Sequence, residues 1–173
     1  MKATILVLTA VLSMFATTAC NQRRDQSSYR DSVKKALEQA DLKDVSVRED
    51  ADKNTITLGG ALHSEDAKQQ AAQVAQAVAG NRIIANEISV EPVGHETDAK
   101  RIASNVDNAI EDNYKAALIS KGLDKQSIRY DSKNGVLTLK GSVKSPDQRK
   151  EAEQVADNVP NVEQVVNEIQ VRR

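Results

Sequence analysis

Apolar residues recur at helical spacing through Tyr29, Val33, Ala36, Leu37 and Ala40, which puts them on one face of a helix. The period then shortens to two. Val45 and Val47 alternate with polar residues, and Ile56, Leu58 and Leu62 alternate with Thr55, Thr57 and Ala61. Strands with one buried and one wet face have this pattern. Helical spacing returns at Ala71, Val74, Ala75 and Val78, and alternation closes the segment at Ile84, Asn86, Ile88 and Val90. The predicted order is helix, strand, strand, helix, strand. The chain then repeats it. Ile102, Val106, Ile110, Tyr114, Ala117 and Leu118 form a longer helical stripe, with Asp98 as its predicted N-cap and Gly122 as its end. Ile128 and Tyr130 alternate. Leu137, Leu139 and Val143 then point inward, with Thr138, Lys140, Ser142 and Lys144 outward. Ala152, Val155, Ala156 and Val159 make the second helix, and Val165, Asn167, Ile169 and Val171 the last strand.

The two runs are copies at a constant offset of 81 residues. Thr57-Leu-Gly-Gly60 matches Thr138-Leu-Lys-Gly141, and Asn86-Glu-Ile88 matches Asn167-Glu-Ile169. A long period present only twice predicts tandem domains rather than a stacked solenoid. The fold class expected is α+β: two αββαβ modules, each a small mixed three-stranded sheet with two helices on one face. The first module is read over 28–91, a linker over 92–97 and the second module over 98–173. Asn134-Gly135 predicts a tight hairpin turn, with a weaker turn at Asp52-Lys-Asn54. Ser145, Pro146, Asp147 and Gln148 form a capped helix start, and Ser64-Glu65-Asp66 a simpler one. Gly60 and Gly141 are read as structural glycines, marking a bulge or a close helix crossing. Asn86 and Asn167 are read as amides satisfying backbone groups at the sheet edge.

Residues 1–19 read as a secretory signal peptide: Lys2, an apolar run from Ile5 to Phe15, then small residues. Thr17-Thr-Ala-Cys20 resembles a bacterial lipobox, which implies lipidation at Cys20 and, with Asn21 following, an outer-membrane preference. Residues 20–27 are then the lipidated cysteine and a polar tether, with Arg23 and Arg24 near the membrane. The alternative is cleavage after Ala19 and a soluble periplasmic protein. Cys20 is the one cysteine, so no intramolecular disulfide and no cysteine metal cluster can form. A net charge of −1 with interspersed signs, and no Trp, argue against a nucleic-acid footprint. The two histidines, His63 and His95, lack metal-ligand spacing and a nucleophile signature, so the sequence predicts no enzyme, metal or cofactor.

The Thr-Leu-x-Gly pattern, the helix opening Ser-x-Asp and the closing Val165-Val-Asn-Glu-Ile-Gln-Val171 resemble the BON domain family (bacterial OsmY and nodulation). The first copy closes with Ile84-Ala-Asn-Glu-Ile-Ser-Val90. The resemblance implies a non-enzymatic envelope lipoprotein that binds membrane phospholipid and supports envelope integrity or stress tolerance. The expected anionic-lipid contact is Lys140, Lys144, Arg149 and Lys150. Gly59 and His63 stand where the second copy has Lys140 and Lys144, and Arg172 and Arg173 add charge nearby. The competing expectation is an adaptor that meets periplasmic or outer-membrane assembly partners through polar sheet faces or an edge strand.

Overall fold

The computed structural model describes residues 28–172. Cys20, the leader and the tether lie outside them. The first module runs α1 (Tyr29–Gln39), β1 (Ser46–Asp50), β2 (Thr55–Gly59), β3 (Ala61–Leu62), α2 (Glu65–Val78), β4 (Ile83–Asn86) and β5 (Ser89–Val90). The second runs α3 (Glu96–Ser120), β6 (Ser127–Lys133), β7 (Val136–Val143), α4 (Pro146–Asp157), β8 (Gln164–Asn167) and β9 (Gln170–Val171). In each, the middle strand pairs antiparallel with the first and parallel with the last, so the sheet orders are β1-β2-β4 and β6-β7-β8. The helices cover one face. Val33 and Leu37 of α1 and Ala71 and Ala75 of α2 share a buried cluster with Ile56 and Leu58. Ile110, Tyr114, Ala152 and Ala156 do the same with Leu137 and Leu139. Tyr114 is the largest fully buried side chain. Its hydroxyl donates to the Ala152 carbonyl at 3.2 Å, and its ring meets Tyr130 edge-on at 5.1 Å. Burial pushes the Tyr114 phenol well above its ordinary pKa.

Several local expectations shift. The last strand of each module is two short pieces, broken at Glu87-Ile88 and Glu168-Ile169. Ile88 and Ile169 stay buried across the break. Val78 is exposed and Ala79 takes the core position, whereas its counterpart Val159 is buried. Helix α3 starts at Glu96 on an N-cap of His95, before the expected Asp98, and the Glu96 carboxylate accepts from the Gly94 amide at 2.8 Å. Ile102 is exposed rather than part of the stripe. In α4 the Ser145 hydroxyl accepts from Gln148 N at 3.2 Å as expected. In return Gln148 Oε1 accepts from Lys144 N, one residue beyond the usual capping box. Asn86 and Asn167 use their amides alike, donating to Lys68 O at 3.1 Å and Arg149 O at 3.4 Å. These carbonyls are equivalent positions in α2 and α4, so each asparagine ties a strand end to its helix.

The modules meet edge to edge. Gln164 of β8 donates from Nε2 to Ile84 O at 2.6 Å and accepts at Oε1 from Asn86 N at 3.1 Å. Its side-chain amide thereby acts as one peptide unit added to the free edge of β4. Lys68, buried, reaches across to Glu163 Oε2 at 2.8 Å and Asn134 O at 3.3 Å. Asn134 Nδ2 donates back to Glu87 O at 2.8 Å. Beneath these polar contacts Ala85, Val136 and Val166 form a small apolar cluster. All three project from the sheet faces opposite the helices. Those faces were expected to be wet, and docking buries them together with Thr55 and Thr138.

Candidate functional site: the cleft between the two sheet faces

The face of each sheet that carries no helix contributes one wall of a cleft. It encloses about 720 Å³, over a floor that includes Ala85, Val166, Thr55 and Thr138. The walls are charged, and part of that charge is neutralised in place. Glu87, whose side chain is 13% exposed, meets Lys133 at 3.3 Å and Arg48 at 3.9 Å. Glu49, beside Arg48 in β1, directs its carboxylate to the start of α1. It accepts from Ser28 Oγ and Arg30 N and pairs with Arg82 at 3.2 Å. The Ser28 hydroxyl and the Arg30 amide hold its carboxyl below the ordinary value of 4.5, with Arg82 adding to the effect.

Where the cleft opens, the balance changes. A hollow of about 640 Å³ lies between the first module's hairpin tip, Asp50 and Lys53, and the second module's outer sheet face. Lys53, Arg129, Lys140 and Arg172 line it, with Asp50 and Glu168. Strand β7 places Lys140 by alternation, opposite Arg129 of β6 in register. The parallel pairing of β7 with β9 brings the chain on to Arg172, whose amide donates to Val143 O at 2.9 Å.

Of the four basic residues expected to form one patch, Lys140 is in this hollow. Arg149 and Lys150 are on α4, which packs against the other face of the sheet, and the Arg149 guanidinium donates to Asn167 O at 3.1 Å. Lys144 follows the end of β7 and is exposed. The structure thus divides the patch between two surfaces. Lys53 and Arg129 were not singled out from sequence, because they join Lys140 only when the modules dock and the hairpin forms. One sequence signal pointed there: comparing the copies, Lys140 replaces Gly59 and Arg172 replaces Glu91.

His63 Nδ1 lies 2.9 Å from Glu91 O, just before the linker, and His95 takes the N-cap position of α3 without a side-chain capping bond. Among the described residues no group of three or more His, Cys, Asp or Glu is placed to hold a metal, and no helix is long and apolar enough to cross a membrane.

Two αββαβ units joined in tandem, with their strand edges together and their outer faces forming a shared cleft, define the class. The BON domain model matches residues 25–92 and again 99–173, and the chain belongs to this family. It is 27% identical over 150 residues to the osmotically-inducible protein Y of Escherichia coli K12, covering 86% of this chain and 73% of that one. Among solved structures, the C-terminal domain of CdsD, a structural protein of the type III secretion system of Chlamydia trachomatis, matches at a TM-score of 0.34 and 10% identity. That match covers 86% of this chain and all of the other.

Proposed function

We propose that this is a non-enzymatic periplasmic protein of the cell envelope, tethered by a lipidated Cys20 with the outer membrane favoured. It binds anionic phospholipid and supports the envelope under osmotic stress. The observation that carries this reading is the tandem BON architecture over both matched segments, in a chain similar to a protein named for its osmotic induction. The basic residues Lys140, Lys144, Arg149 and Lys150 are exposed, as contact with a headgroup layer requires. The test is co-sedimentation of an untethered form with vesicles containing phosphatidylglycerol. Binding at low salt that weakens as salt rises is the expected result, and no binding at low salt would sink the lipid reading. Intact mass of the mature protein tests the anchor. A diacylated or triacylated Cys20 is expected, and an unmodified mass from the soluble fraction would mean a diffusible protein.

The second reading is an adaptor for envelope assembly partners. The observation that favours it is a groove of about 510 Å³ between the modules, where exposed Ile102 meets Val90 and Pro92. Edge-strand addition is the weaker route to a partner, because Gln164 occupies the edge of β4 and α3 carboxylates bind the end of β6. Crosslinked pull-downs from envelope fractions would recover specific proteins independently of lipid composition. Recovery of background proteins alone counts against the adaptor.

A further inference from the structure

The hollow at the mouth of the cleft has the makings of a ligand site. Four cations converge on it, Arg129 and Lys140 from two strands, Arg172 from just past β9 and Lys53 from a hairpin tip, against two carboxylates. Among the described residues, none of Lys53, Arg129, Lys140 and Arg172 forms an ion pair, whereas Arg48 and Lys133 deeper in the cleft are both paired with Glu87. The Arg172 guanidinium donates to Gln170 Oε1 at 3.2 Å. Ser127 and Ser142 add hydroxyls to the lining. The internal repeat sharpens the point. Both copies keep what the fold needs, a glycine at 60 and 141 and an asparagine at 86 and 167. At the positions of Lys140 and Arg172, however, the first copy has Gly59 and Glu91, and its Arg48, equivalent to Arg129, is committed to Glu87. The fold therefore does not require this charge.

We infer that the hollow binds a phosphate ester, with Arg129 and Lys140 contacting the phosphate and Lys53 closing over it from the other module. A guanidinium beside an ammonium suits a phosphate, which accepts paired charge-assisted hydrogen bonds. About 640 Å³ exceeds a bare phosphate and admits the esterified group as well. This rests on the phospholipid reading if the ester is a lipid headgroup, and stands apart from it if the ester is soluble.

The experiment uses the untethered form, lacking Cys20 and its acyl groups, with phosphatidylglycerol vesicles as one probe and glycerol phosphate as the other. Amide NMR shifts at Ser142 and Gln170 report the soluble probe, and co-sedimentation reports the vesicles. The double variant Arg129→Gln with Lys140→Gln is compared with Lys34→Gln and Lys35→Gln on α1, and with Lys144→Gln and Lys150→Gln. All the substituted residues are exposed, so each variant should retain the wild-type melting temperature. The cleft pair should weaken binding about thirtyfold and abolish the shifts, since each surface cation contributes on the order of 1 kcal/mol. The α1 pair should change neither. Loss of vesicle binding in the cleft pair, without a response to glycerol phosphate, assigns the ester to a headgroup. Shifts from glycerol phosphate without vesicle binding keep the site and remove the membrane reading. Vesicle binding that survives in the cleft pair but falls in the Lys144 and Lys150 pair overturns the site and keeps the membrane reading. No response of the wild-type protein to either probe overturns both.

Discussion

Gly60 and Gly141 hold the same place in the two copies, at φ +107° and +103°. A β-carbon at Gly60 would lie 2.5 Å from the Asp44 carbonyl oxygen, and one at Gly141 would collide with that of Ser127. Both demands come from backbone at the start of the neighbouring strand rather than from a crossing helix, and the pairing runs one to one through Gly141, so the close approach that these glycines permit is that of a strand. Gly141→Ala combines a strained φ with a backbone clash, and should cost about 3 kcal/mol in urea denaturation. A cost under about 1 kcal/mol would mean that β6 gives way easily. Glu49 leads to a pH prediction. Its folded pKa is depressed, so its contribution is present above the ordinary value of 4.5 and is lost as pH falls through the folded one. Denaturation midpoints should therefore fall more steeply below pH 4.5 in the wild-type protein than in Glu49→Gln. Parallel curves would show that Ser28, Arg30 and Arg82 hold the carboxylate too loosely to matter. The sequence marks the glycines because their periodic position is apolar and they are not. It gives no mark to Glu49, whose partners are 19, 21 and 33 residues away in the chain.

At the scale of elements, α3 shows what a repeat can hide. It is 25 residues long against 11 for α1, and its stripe joins the second core from Val106, which packs against it half-buried, with full burial from Ile110. Its first turns instead lie beside β5 of the first module, and Lys100 meets the buried Glu91 carboxylate at 3.2 Å. From Asp107 onward the helix holds the next hairpin. The Asp107 carboxylate accepts from Ser132 Oγ at 2.9 Å, Asn134 N at 2.8 Å and Gly135 N at 3.0 Å, while Glu111 takes Ser132 N at 2.9 Å. Asp107→Ala leaves two turn amides without a protein partner, and should cost about 2 kcal/mol, since charged hydrogen bonds are the stronger kind. Hydrogen exchange is the sharper measure. The Asn134 and Gly135 amides should lose protection before the strand interior does, and uniform loss across the module would show that the turn has no local dependence on α3. The turn itself is legible, because Asn134 and Gly135 adopt the positive φ values their types favour, 50° and 81°. The register of the other hairpin is not. Four residues connect β1 and β2 and two connect β6 and β7, so Arg48 faces Thr57 while its equivalent Arg129 faces Lys140. Loop length sets that slip, and alternation alone, which has period two, cannot see a shift of two.

At the scale of the whole molecule, the two copies act on one another through positions that the repeat makes equivalent only in part. Ala85 and Val166 are the same site in each copy and meet at the β4–β8 edge. The polar clasp around them is one-sided. Lys68 crosses to Glu163, but its counterpart Arg149 stays with its own module. The clasp is not readable from hydropathy, because it is a few polar side chains paired across 47 to 95 residues. Alternation marks Thr55, Thr138 and Ala85 as outward-facing and cannot say that another sheet covers them. Lys68 decides whether the modules unfold together. Its side chain is 7% exposed, so removing Glu163 strands an ammonium in the interface, while Glu163 at 59% exposed is well solvated and loses little on its own account. After discounting for that exposure, Lys68→Ala should cost about 1–2 kcal/mol. The larger effect should be on coupling. Each module is small enough to be marginal alone, and the interface is what lets one raise the stability of the other. The wild-type chain should melt in one transition, with the same midpoint reported by amides of both modules. Lys68→Ala with Gln164→Ala should split it, with the first module lower because its core lacks a buried tyrosine and relies on alanine where helices pack. The same variant should widen the cleft and raise the radius of gyration in small-angle scattering. A single transition and an unchanged radius would mean that Ala85, Val136 and Val166 hold the modules together without the clasp.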